Sequence, residues 1–122
     1  MIDLKSKVEA LNHLILNGNT IQAMEVFYAD NVEMQENEEP PRIGKINCIN
    51  IERNNLQNVK SVTPTLFNQA IDNAKSVVFS EWSFLIIYND DSKLILTEVS
   101  VQHWLNGQVA KEKFYYKSVQ KI

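Results

Sequence analysis

The spacing of apolar residues changes near Ser61, and that change constrains the fold more than any other feature of the chain. Before it, apolar residues recur at every third or fourth position. Leu4, Val8, Leu11 and Ile15, with Leu14 beside them, form one stripe of a helix over 2–16. Asn17-Gly18 stops that helix, and Asn19 or Thr20 caps a second over 20–28 that buries Ile21, Met24 and Phe27. A third helix is expected over 45–59, with Ile49, Glu52 or Arg53, Leu56 and Val59 along one side. After Ser61 the period falls to two. Segments 62–73, 76–88, 94–105 and 109–118 are rich in β-branched and aromatic residues and read as strands. Asn89-Asp90-Asp91-Ser92 and Asn106-Gly107 read as hairpin turns. Three helices followed by a meander of strands predict an α+β domain, one curved, mostly antiparallel sheet with helices on one face.

Between the second and third helices lies one short strand, 32–35, then an acidic turn. Pro40-Pro41 punctuate that turn, since proline neither continues a helix nor donates to a ladder. The 122 residues suit one domain, 1–122, and 44% hydrophobic residues suffice for a core. Twelve basic against fifteen acidic residues, net −3, give no basic face for nucleic acid. There is no long apolar run to cross a membrane, and the charged, amphipathic N-terminal stretch is unlike a signal peptide. The single Cys48 excludes an intrachain disulfide. These features predict a cytoplasmic protein. Two histidines without ligand spacing predict no metal site, and three glycines leave no phosphate loop, so no cofactor is expected.

The Asn106-Gly107 turn decides which side chains face the helices. A two-residue turn pairs Leu105 with Gln108 and places Lys111 and Lys113 beside Trp104, Gln102 and Ser100. A three-residue turn, with Gly107 as a left-handed bulge residue, pairs Trp104 with Gln108. The second register is preferred because it leaves the lysines at an accessible surface. One face then holds Leu96, Glu98, Ser100, Gln102 and Trp104 with Ala110, Glu112, Phe114 and Tyr116. That mixed aromatic and polar set suits a ligand pocket. The opposite face keeps Ile95, Val99, Val101, His103 and Leu105, which predicts a homodimer through the outer sheet face.

Glu98 and Glu112 on neighbouring strands would push each other's pKa apart and supply an acid and a base. Equally, either would serve a structural bond to Arg53, Arg42 or Gln102. Trp104 is expected as pocket wall, whereas the length of the 89–93 turn leaves Trp82 unoriented. Arg42 is expected to pair with Glu38 or Glu39, and Cys48 to be a small buried hydrophobe.

Tyr28-Ala29-Asp30-Asn31-Val32 resembles the Tyr-Ala-Asp-Asp segment that ends helix two in ketosteroid isomerases and SnoaL-like polyketide cyclases. Met34-Gln35-Glu36 and Glu39-Pro40-Pro41-Arg42-Ile43-Gly44 resemble the strand, turn and helix start that follow in that group. Trp104-Leu105-Asn106-Gly107-Gln108-Val109 resembles its Asp-Gly-Lys-Ile hairpin, and Phe114-Tyr115-Tyr116 its closing aromatic strand. The resemblance, to the NTF2-like superfamily, spans nearly the whole chain in element order and implies a cone of three N-terminal helices on one curved sheet.

It also implies that Glu36 stands where the isomerases carry their catalytic carboxylate. Their oxyanion donors are not matched: helix one offers Asn12 and His13 in place of a tyrosine, and Ser100 stands at the aspartate position. Ketosteroid isomerisation is therefore not expected. The expected function is binding of a small, largely apolar ligand between sheet and helices. Tyr28, Met34, Ser100, Gln102, Trp104, Phe114 and Tyr116 would line the pocket, and Glu36, Glu98 and Glu112 would be its carboxylates. The alternatives are an isomerase, cyclase or dehydratase using one of these glutamates for proton transfer, and a protein-association module.

Overall fold

The structure is a computed structural model that describes residues 3–117 and 120–122. Its elements run α1 (Leu4–Leu16), α2 (Thr20–Phe27), β1 (Tyr28–Glu36), β2 (Arg42–Ile43), α3 (Lys45–Asn55), β3 (Val59–Asp72), β4 (Val77–Tyr88), β5 (Lys93–Leu105), β6 (Gln108–Tyr115) and β7 (Gln120–Lys121). The sheet order is β2-β1-β6-β5-β4-β3, with β7 joined to β5. The pairs along this path are antiparallel except β1 with β6, which run parallel because the chain returns to β1 only after α3 and the long meander. The expected α+β architecture is thus present, as a curved and unclosed mixed sheet.

Helices cover one face. Val8 and Leu11 of α1 and Met24 of α2 are buried in a cluster with Val32 and Met34 of β1, Val78 of β4, Trp104 of β5 and Val109 of β6. Each such aliphatic side chain contributes about 1.5–3 kcal/mol through burial. Asp3 caps α1, accepting the Ser6 N–H at 2.8 Å; Ile2, placed in this helix by its sequence, lies outside the described residues. Asn12 of α1 and Gln69 of β3 exchange hydrogen bonds at 2.8 and 3.2 Å, and Gln69 also donates to Ser80 of β4 at 2.8 Å. That bridge fixes α1 across the sheet.

Element ends differ from expectation for local reasons. Tyr28 leaves α2 with extended backbone, φ −90° and ψ 140°, and begins a strand longer than the expected 32–35. Leu56 caps α3, so Val59 opens β3 opposite Tyr88 instead of closing the helix. Two asparagines, weak helix formers, precede that stop. Pro64 is tolerated inside β3 because this is the last strand of the path and lacks a neighbour on its other side.

The β5–β6 hairpin departs most informatively. Asn106 and Gly107 both have positive φ, 53° and 77°, and form a two-residue turn, with Leu105 opposite Gln108 and Trp104 opposite Val109. The expected three-residue turn is therefore incorrect. The next pair is His103 with Lys111, so Ala110 is an extra residue. This bulge restores the alternation that the turn had inverted. Glu112 faces inward beside Gln102, and Lys111 is exposed beside His103 on the outer face. The inward set therefore differs from expectation in holding Val109 in place of Ala110, while the pairing moves along by two residues: Gln102 is opposite Glu112 and Ser100 opposite Phe114.

Candidate functional site

Glu112 lies at the centre of the inner face, buried to 3% exposure. It accepts hydrogen bonds from Tyr28 of β1, from the Ser100 hydroxyl at 3.1 Å and from the Gln102 amide at 2.9 Å, both on β5. The Gln102 carbonyl in turn accepts the Trp104 indole N–H at 3.1 Å. Burial raises the Glu112 pKa, while its three donors pull it back. Burial and then the adjacent Glu112 hold the Tyr28 phenol well above its ordinary value, so the phenol keeps its proton and donates it.

Glu98, further along the inner face of β5, is treated differently. It is 8% exposed, and no hydrogen bond or ion pair reaches it among the described residues. No fully sealed side-chain polar atom among the described residues lacks a partner, so the Glu98 carboxyl keeps an opening towards solvent. Burial, then the charges of Glu112, Glu36 and Glu52, push its pKa up to about 8. Across the ladder it faces Trp82 of β4, whose ring stacks on Phe84 at 5.6 Å and 19°. Phe84 is opposite Leu96, and both are half-buried, so an apolar rim adjoins the carboxyl.

The neighbouring ends of β1 and β6 are polar. Asn37 ties the end of β1 to the end of β6: its N–H donates to the Phe114 carbonyl at 2.8 Å, and its side chain accepts the Tyr116 N–H at 3.0 Å. Glu36 and Tyr116 are thereby neighbours, and the Tyr116 hydroxyl donates to Glu36 at 2.9 Å. The other Glu36 oxygen pairs with Arg42 at 3.6 Å, not the expected Glu38 or Glu39; Glu38 takes Lys113 at 3.0 Å instead. Glu52 of α3 completes the group, its pKa raised by burial against the opposing pull of Arg42. The charges of Glu36 on β1, Glu52 on α3 and Glu112 on β6 thus act on Glu98 of β5, with the Arg42 guanidinium paired to Glu36.

No family model matches the sequence, and no curated protein sequence does. Solved structures do match. A protein assigned as a SnoaL-like polyketide cyclase from Mesorhizobium loti superposes with a TM-score of 0.79 at 17% identity, covering 94% of this chain and 100% of that one. An NTF2-like protein of unknown function from Burkholderia pseudomallei also gives 0.79, at 10% identity and coverage of 96% and 92%. An LEH-like epoxide hydrolase from M. tuberculosis gives 0.74, at 14% identity and coverage of 92% and 80%. The chain has the NTF2-like fold. At these identities the likeness is one of architecture and carries no chemistry with it.

Within this NTF2-like cone the expected site residues divide into two groups. Tyr28, Met34, Ser100, Gln102, Trp104 and Glu112 are buried and mutually packed or bonded. Trp104, expected as a wall, packs in the core with its ring 6.1 Å from that of Phe27. Glu36, Glu98 and Tyr116, with Phe114 half-buried behind them, stand towards the opening. The oxyanion positions of the isomerases remain empty of suitable donors: Asn12 is engaged with Gln69, and His13 is exposed. Two contributors had no clear signal. Trp82 could not be oriented without the turn length, and Glu52 shared its helical stripe with Arg53. Two open surface grooves, about 580 Å³ beside Tyr88 and Leu94 and about 280 Å³ between α2 and α3, lie away from the carboxylates. Among the described residues, no three His, Cys, Asp or Glu side chains gather closely enough to hold a metal ion. No helix among them is long and apolar enough to cross a membrane.

The raised pKa of Glu98 has a consequence for stability. The folded protein keeps this proton up to about pH 8, whereas the unfolded chain releases it near 4.5. The contribution is fully present below the unfolded value and is lost as pH rises through the folded one. Relative to Glu98→Gln, the wild type is expected to lose stability steadily between these limits, read as urea midpoints across the pH range. Parallel pH curves for the two proteins would contradict it.

Proposed function

We propose that the protein binds a small, largely apolar molecule in the recess between sheet and helices, with Glu98 as the group that meets it. The observation that carries this reading is an almost buried carboxyl that has no partner among the described residues and is bordered by Trp82, Phe84 and Leu96. A ligand offering a donor would supply the bond that the Glu98 carboxyl lacks among the described residues. Glu36 and Tyr116 flank the opening. Tyr28, Met34, Ser100, Gln102, Trp104, Glu112 and Phe114 hold the wall in place behind it. Benzyl alcohol titrated into isotopically labelled protein is expected to shift the Trp82 indole and Leu96 methyl resonances saturably. Shifts confined to the outer face, or none, would sink the proposal.

A second reading is favoured by one observation, the Glu98 pKa near 8 beside an ion-paired Glu36. A carboxyl titrating near neutral pH can give and take a proton, as an isomerase, cyclase or dehydratase requires. Exchange of the α-hydrogens of cyclohexanone in deuterated buffer is the simplest assay. Catalysed exchange that falls about 100-fold or more in Glu98→Gln supports it; exchange at the buffer rate leaves binding alone.

We also propose that a second copy covers the outer sheet face. Phe79, Val99, Leu105 and Tyr115 are exposed there, with no helix over them. Lys111 lies at one margin and Glu81 towards the other, an arrangement that a two-fold axis turns into self-complementarity. Sedimentation is expected to show a dimer at micromolar concentration that Val99→Lys converts to monomer. A monomeric wild type would rule the dimer out.

A further inference from the structure

Resting on the reading that this recess binds a small molecule, we propose that its ligand is an organic cation: a protonated amine on an apolar body, its ammonium held by Glu98 with Glu36 and Glu52 nearby. The first support is the balance of charge. The charges of Glu36, Glu52 and Glu112 act on Glu98, and the nearby guanidinium, Arg42, is already paired with Glu36 at 3.6 Å. Other cations are engaged elsewhere: Lys45 with Asp30, Arg53 with Glu25 and Lys113 with Glu38. An anionic ligand would add negative charge to this group without a free cation to meet it.

The second support is independent of the count of acids. Glu112 has Tyr28, Ser100 and Gln102 as donors and needs nothing further. Glu98 is 8% exposed, has no partner among the described residues, and keeps an opening towards solvent. An ammonium supplies the donors it lacks, in the charge-assisted form that is roughly twice as strong as a neutral bond. The third support is the wall. Trp82, opposite Glu98 across the ladder, stacks on the half-buried Phe84, and aromatic faces attract organic cations. A metal ion is a poorer fit, since no three ligating side chains gather among the described residues.

Proton linkage follows from the groups around Glu98. These are Glu112 on β6 with Tyr28 bonded to it, Glu36 on β1 with its partners Arg42 and Tyr116, and Glu52 on α3. They keep Glu98 protonated up to about pH 8 in the empty protein. An ammonium favours the ionised form, so binding below that pH expels a proton. Affinity should rise about tenfold per pH unit until Glu98 ionises unaided, then level off.

The test compares three probes of one shape, benzylamine, benzyl alcohol and phenylacetate, by calorimetry from about pH 6 to about pH 8, a range that ends at the Glu98 midpoint. Benzylamine is expected to bind best, by about tenfold at the alkaline end, the worth of one hydrogen bond to a charged group. Its affinity should climb with pH, and heats in two buffers of different ionisation enthalpy should show proton release. Glu98→Gln should abolish that advantage and the pH dependence. Glu52→Gln should reduce the advantage by a smaller factor. If at the alkaline end benzyl alcohol or phenylacetate binds as well as the amine, or if the amine's affinity is flat with pH, the cation assignment falls and the binding reading stands. If none of the three binds, the small-molecule reading falls, and this inference with it.

Discussion

The Ala110 bulge turns Glu112 towards the helices, and burying that carboxylate obliges the neighbouring strands to supply it with donors. Tyr28 comes from β1, and Ser100 and Gln102 come from β5, so one acid ties together the parallel and antiparallel halves of the sheet. Gln102 passes the order on, since its carbonyl fixes the Trp104 indole against Phe27 in the core. Without the extra residue, the two-residue turn would direct Lys111 and Lys113 inwards, where neither would find water. A backbone irregularity of one residue thus decides whether the inner face is acidic or basic.

Satisfying Glu112 leaves Glu98 without a partner among the described residues. The donors beside Glu112 are spent on it, and the donors at the mouth, Tyr116 and Arg42, are spent on Glu36. Glu98 sits between these two groups, buried by Trp82 and the strands beside it, and keeps its proton because nothing compensates the charged form. A sequence optimised only for folding would place an apolar residue there. Departures of this kind concentrate where binding or chemistry is done. The helices pack over Val78, Trp104 and Val109, whereas Phe84 and Leu96, further along the ladder, stay half-buried.

The architecture was legible because its signals are long. The stripe Leu4, Val8, Leu11 and Ile15 and the alternation of β4 and β5 each repeat several times, so single exceptions do not obscure them. The inward set on β5, from Glu98 to Trp104, was legible for the same reason. The turn was not. Asn106-Gly107 fits more than one loop length, and the lysines that pointed to the correct faces did so through a bulge that has no residue signature at Ala110. Pairings between side chains distant in sequence were also hidden. Arg42 has glutamates at 36, 38 and 39 within reach, and only the link between Asn37 and Phe114 selects Glu36. Glu52 became visible as part of the site only once α3 was set against β1.

The ionisation of Glu98 is the point on which the proposed site and both readings of its function depend. It can be read by carbon-13 NMR of the side-chain carboxyls in uniformly labelled protein, with Glu98→Gln identifying the resonance. A midpoint near 8 is expected for the empty protein. A midpoint near the ordinary carboxylate value of 4.5 would mean that Glu98 is solvated or paired, and would contradict this view of the site.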